Sequence, residues 1–225
     1  MSVVAGVILA GGRGKRLGGV TKANLKVGGV SLLRRAASGM SALEGPLLIS
    51  TGHIPASQIG SDVGWHIVPD TAKDNLGPLA GIAAAVEFLS HDNCSADFLM
   101  SLAVDTPFFP QDFCQRAAKM MREDVDVVVA THNNQHYPTN ALWRLASIAL
   151  LPEQLEEFSA GGIKKLIGSM TSAAIDLSTA DGGNPCQNVN SMADLIACGR
   201  RHNMMRSQTT LPLDKSGLGK AKQNG

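Results

Sequence analysis

Short apolar runs alternate with longer stretches of helical periodicity along most of this chain. The runs at residues 3–9, 47–50, 65–68, 98–104, 125–130 and 173–177 have the length and composition of strands. Between them, residues 32–43, 79–89, 112–121, 163–170 and 192–202 carry helical patterns. Such alternation predicts an α/β fold built from βαβ units, with a mainly parallel sheet and helices on both faces. Ligands of such sheets bind outside the carboxyl ends of the strands, near a topological switch point.

The chain has 225 residues, enough for one sizeable domain, which we place at residues 1–202. After His202 the composition turns polar and glycine-rich, so residues 203–225 read as a mobile C-terminal tail. No internal repeat is evident.

The net charge of +1 argues against a general binder of nucleic acid or membrane surfaces. No secretory signal or membrane-spanning run is evident. Cys94, Cys114, Cys186 and Cys198 form no Cys-x-x-Cys pair, so zinc and redox-dithiol sites are not expected, and free thiols in a reducing cytoplasm are. The six histidines show no metal-ligand spacing and read as surface or core residues.

Charge distribution says more than the total. The first acidic residue is Glu44, whereas Arg13, Lys15, Arg16 and Lys22 surround the loop Leu9-Ala10-Gly11-Gly12-Arg13-Gly14 at the end of the first apolar run. Glycines free the backbone to approach a ligand closely, with amides directed inward. Cations around such a loop suit a nucleotide polyphosphate. The pattern is not a Walker A loop, because Arg16 follows Gly14-Lys15 and Leu9 stands where the first glycine belongs. Nor is it the dinucleotide fingerprint, since Gly12 to Gly18 is one residue too long. Read from the glycines alone, a surface turn that binds nothing remains an alternative.

Three further segments carry chemistry. In Ser101-Leu102-Ala103-Val104-Asp105-Thr106-Pro107 an apolar strand ends at a carboxylate, and Pro107 forbids further ladder pairing. Such a carboxylate can hold Mg²⁺, or can simply close a turn on its own backbone. Trp65-His66-Ile67-Val68-Pro69-Asp70 is a second strand ending in a carboxylate, and Asp74-Asn75-Leu76-Gly77-Pro78-Leu79-Ala80-Gly81 leads into a helix. In Gln187-Asn188-Val189-Asn190-Ser191-Met192-Ala193-Asp194, Ser191 and Asp194 have capping-box spacing, and Asn188 and Asn190 alternate onto one side.

Taken together, these segments resemble the bacterial molybdenum cofactor guanylyltransferases, the molybdopterin-guanine dinucleotide biosynthesis protein A family, from about residue 3 to residue 201. The resemblance implies a Rossmann-like nucleotidyltransferase fold that uses Mg²⁺. Its substrates would be GTP and molybdenum-molybdopterin, and its partners proteins that insert molybdenum or receive the finished cofactor. Carried over by position, Leu9, Ala10, Gly11 and Gly12 would contact the nucleotide through the backbone, and Gly77, Pro78, Leu79 and Gly81 would form a second wall. Lys22, with Arg16, would act on the phosphates, Asp70 on the nucleoside, and Asp105 on Mg²⁺. Asn188 and Asn190 fall on the acceptor side, while His136–Thr139 and Gly161–Lys165 match pterin-facing stretches only loosely. Ser50-Thr51 departs from the asparagine of some members, so no site is assigned there. Two other readings remain: a nucleotidyltransferase using CTP on molybdopterin or acting on a sugar or polyol phosphate, and a noncatalytic nucleotide-binding regulator.

Overall fold

The six apolar runs become strands of a seven-stranded sheet in the computed structural model, which describes residues 2–60, 64–70, 76–91, 95–178 and 182–209. In chain order the strands are β1 (Val4–Leu9), β2 (Leu47–Ser50), β3 (His66–Val68), β4 (Phe98–Ala103), β5 (Val127–His132), β6 (Gln135–Arg144) and β7 (Ser172–Asp176). Their spatial order is β7-β5-β6-β4-β1-β2-β3. Neighbours run parallel except at β6, which is antiparallel to both β4 and β5. The chain steps from β1 through β2 to β3 on one side, then returns to place β4 on the other. A crevice therefore opens between the carboxyl ends of β1 and β4.

Side-chain alternation gives the sheet two apolar faces. Ile8, Met100, Leu102, Val128 and Leu142 pack with helices α1 (Leu32–Ser38), α3 (Phe113–Ala118) and α5 (Met192–Thr209). Val7, Leu99, Val129 and Trp143 pack with α2 (Pro78–His91) and α4 (Gly162–Gly168). The buried Trp143 indole donates to Ser101 Oγ at 2.9 Å, so its one polar group is satisfied.

Two departures from the sequence pattern have local causes. Strand β6 is entered through a two-residue hairpin in which Asn133 and Asn134 have φ of 50° and 62°, the left-handed pair of a type I′ turn. Its register shifts between Tyr137 and Ala141, around Pro138, which masks the alternation. Helix α5 continues to Thr209, so residues 203–209 extend the helix rather than begin a tail. That stretch contains no glycine or proline, and Ser207 Oγ bonds back to the Asn203 carbonyl at 3.0 Å. Residues 71–75, with Asp74 and Asn75, Cys94, and residues 210–225 lie outside the described residues.

Helix α2 lies against β1 and β2 because Gly81 has no side chain. A Cβ there would sit 2.9 Å from Leu9 Cδ2 and 3.1 Å from Ser50 Cβ, and nearer still to Ser50 Oγ. Gly81→Ala should therefore destabilise the protein by about 1–3 kcal/mol through overpacking, although alanine is the better helix former. Gly168→Ala, at a position with open space around it, is the control and should cost nothing. Urea denaturation of both variants checks the contrast.

Candidate active site

The floor of the crevice is two backbones in contact. The loop after β1 touches the turn after β2, and a Cβ on Gly11 would lie 2.9 Å from Gly52 Cα. Ala10 N donates to Ser50 O at 2.7 Å, continuing the β1–β2 ladder past its last pair. The chain then leaves as a small hairpin, Arg13–Gly14 against Val20–Thr21, and returns to where it left. Lys22 N points at Gly12 O, 3.4 Å away. This excursion converts a ten-residue sequence separation between Gly12 and Lys22 into adjacency.

On the other side of the crevice, β4 stays in register with β1, with Leu9 opposite Ala103 and Val104 N donating to Leu9 O. The strand is closed by Thr106, whose hydroxyl donates to Ala103 O at 2.8 Å. Asp105 lies in that turn. Its carbonyl accepts from Val189 N at 2.9 Å, which fastens the segment before α5 to the end of β4. The Lys22 ammonium reaches Asp105 Oδ2 at 2.7 Å and Asn190 Oδ1 at 2.5 Å, with the Lys22 and Asp105 side chains only 12% and 14% exposed.

Asn190 is held by the cap of α5. One Asp194 carboxylate oxygen accepts from Asn190 N, Ser191 N and Ser191 Oγ at 3.0, 2.8 and 2.8 Å, while Ser191 Oγ accepts from Asp194 N. The Ser191 hydroxyl, then the Asn190 amide, hold the Asp194 carboxyl below the usual carboxylate range. Val189 is fully buried between the exposed Asn188 and Asn190, so the two amides do share a side.

Asp70 follows β3, accepts from Ser50 Oγ at 2.8 Å and faces the same space. Burial pushes its pKa up, against the opposing effects of the Ser50 hydroxyl, His53 and the Gly52 amide. Gly77 and Pro78 form the facing rim at the start of α2. The enclosed cleft holds about 350 Å³, within the range of small-molecule sites.

Residues 6–174 match the family described as the MobA-like NTP transferase domain. A molybdenum cofactor guanylyltransferase of Acidiphilium cryptum is 34% identical over 194 residues, spanning 85% of this chain and 91% of that one. The chain belongs to the MobA-like NTP transferase family. It is accordingly an enzyme, a nucleotidyltransferase among relatives that act in molybdenum cofactor biosynthesis. Molybdopterin-guanine dinucleotide biosynthesis protein A from Archaeoglobus fulgidus has the same fold, with a TM-score of 0.67 at 18% identity over 89% of this chain and all of that one. Rv0371C of Mycobacterium tuberculosis, solved in complex with manganese, is similar at a TM-score of 0.64 and 16% identity, covering 88% of this chain and 98% of that one.

Of the residues expected in a MobA-like site, Leu9, Gly11, Gly12, Lys22, Asp70, Gly77, Pro78, Gly81, Asp105 and Asn188 line the cleft. Asn190 joins through Lys22. Ala10 and Leu79 do not line it, because their side chains are fully buried in the two cores. Arg16 is exposed on the excursion and does not line it either, and the side chains of Arg13 and Lys15 lie outside the described residues. Gly52, His53, Leu76, Ala80, Ala103 and Val104 line the cleft without a site assignment from sequence, as do Ser50, where none was made, and Thr139, from a stretch matched only loosely to the pterin side. Ser50 ends the strand read at residues 47–50, and its hydroxyl donates to Asp70 Oδ1 at 2.8 Å.

The residues present fit a divalent cation. Among the described residues no three His, Cys, Asp or Glu side chains cluster as a self-sufficient metal cage. Mg²⁺ is ordinarily bound by one or two carboxylates together with substrate phosphates and waters, and the Lys22 ammonium already finds two converging oxygens on Asp105 and Asn190. The Cys186 thiol is not a nucleophile, since it is fully buried and burial pushes its pKa up to about 12.

Asp70 provides a test with a definite sign. A carboxyl raised in the folded state contributes its stability below its unfolded pKa and loses it as pH rises through the folded value. Asp70→Asn should thus be increasingly more stable than wild type as pH goes from about 3 to about 7, while nucleotide affinity falls. Thermal melts across that range and a nucleotide titration check both halves. A pH-independent difference would show that Asp70 is better solvated than its position indicates.

Proposed function

We propose that this enzyme transfers GMP from GTP to the terminal phosphate of molybdenum-molybdopterin, releasing pyrophosphate and forming the guanine dinucleotide form of the cofactor. The observation that carries this reading is the convergence of Lys22, Asp105 and Asn190 beside the glycine loop at the sheet's switch point. Leu9, Gly11 and Gly12 would receive the nucleotide through backbone groups, with Asp70 and the rim of Gly77, Pro78 and Gly81 on the nucleoside. Lys22 would bear on the phosphates. Asn188 would face the acceptor, and Thr139, near the carboxyl edge of the cleft, would join it.

An acceptor phosphate oxygen attacks the α-phosphorus of GTP. A new P–O bond forms as the bond to the β-phosphate oxygen breaks, and pyrophosphate takes the electron pair. The attacking oxygen is already anionic near neutral pH, so no general base is required. The demand is alignment and relief of anion–anion repulsion, which preorganised cations supply. Asp105, with Asn190, would hold Mg²⁺, which when bound neutralises phosphate charge. The manganese in the Rv0371C structure supports a divalent ion in this fold.

The competing acceptor and base choices differ in what the cleft must recognise. Guanine presents a carbonyl beside N–H and amino donors, whereas cytosine presents a smaller, rearranged edge. A rim fixed by Pro78 and closed by Gly81 suits backbone readout of one such edge, and leaving its polar groups unpaired can reject a mismatch by as much as about 10⁴-fold.

Pyrophosphate release with each of the four nucleoside triphosphates, Mg²⁺ and molybdenum-molybdopterin tests the assignment. GTP should exceed CTP and ATP by a large factor; equal or better use of CTP would overturn the guanylyl choice. Asp105→Asn should reduce turnover by about 10²-fold or more while the fold survives. Retention of activity within about tenfold, roughly 1.4 kcal/mol of barrier, would remove Asp105 from the metal site.

A further inference from the structure

We infer that Lys22 is an internal counter-ion that occupies the divalent-cation seat of the empty enzyme and gives it up only to nucleotide. This rests on the reading of Asp105 as the cation's ligand. The ammonium stands 2.7 Å from Asp105 Oδ2 and 2.5 Å from Asn190 Oδ1, the two oxygens that a hard cation would use. It is delivered there by fixed backbone rather than by a roaming side chain. The return of the hairpin puts the lysine beside Gly12, and the Asp194 cap and the Val189–Asp105 bond fix both acceptors. Lys22 and Asp105 are nearly enclosed, so water screens the pair little.

An ammonium and a divalent ion cannot share Asp105 Oδ2 without strong like-charge repulsion. Cation alone must therefore displace the lysine and leave it without an anion. A polyphosphate changes the balance by offering Lys22 a new partner, which frees Asp105 and Asn190 together. Nucleotide and cation are thereby coupled, each raising the affinity for the other. Empty enzyme binds the divalent ion weakly, and the loaded enzyme binds it well.

The coupling makes an unusual prediction: deleting a positive charge from the phosphate site improves metal binding in the absence of nucleotide. Mn²⁺ binding is measured by loss of the free hexaaqua EPR signal, without nucleotide, for wild type, Lys22→Met and Lys22→Gln, with thermal melts to establish folding. Both variants should bind Mn²⁺ at least about tenfold more tightly than wild type, and the gain should vanish when Asp105→Asn is added. Two variants guard against one failing to fold, since Gln retains a donor toward Asp105. If neither binds Mn²⁺ more tightly, or if the gain survives Asp105→Asn, the counter-ion role is overturned. The transfer assay on Asp105→Asn separates the causes. Lost turnover with no Mn²⁺ gain sinks only the counter-ion role, whereas intact turnover sinks the metal assignment beneath it.

Discussion

Parallel pairing of β1 with β4, Leu9 opposite Ala103, is the constraint on which the site depends. It joins strands that the chain reaches from opposite directions, and it sets the glycine loop and the Asp105 turn side by side. A slip of β4 by one residue would exchange its two faces and carry the Asp105 turn along the ladder away from its place beside the glycine loop. The hydrogen bond from Val104 to Leu9 extends this registry beyond its last pair, and that from Ala10 to Ser50 does the same between β1 and β2. The crevice is therefore a property of the sheet as much as of its loops.

Much of this was readable from residue order because six of the seven strands are short apolar runs, and the turns after β1, β3 and β4 carry glycine, aspartate or proline. Strand β6 was not, since its signal is the Asn133-Asn134 turn, and Pro138 and the buried Asn140 interrupt its pattern. Asn140 earns its burial by accepting from Ala103 N at 2.9 Å, a long-range fact that local pattern does not encode. Ser50 was passed over for a related reason. Its role lies in a bond to Asp70, twenty residues away, and a serine alone does not announce its acceptor.

Charge was legible in kind but not in arrangement. A cluster of basic residues around a glycine loop suggested a ring of cations about the ligand. Of the two whose side chains are described, Arg16 stands exposed on the excursion and Lys22 folds inward against a carboxylate. Backbone makes this placement: an excursion that closes on itself brings Lys22 back beside Gly12. Preorganisation of this sort lowers the reorganisation needed when phosphate arrives.

The span of the cluster bears on how the molecule comes into being. Lys22 and Asn190 are 168 residues apart, and the seventh strand ends at Asp176, before the asparagines begin. A nascent chain can complete its sheet while still lacking one arm of the site. Contacts of such long sequence separation are slow to close, so the pairing of Lys22 with Asn190 forms after the sheet that positions it.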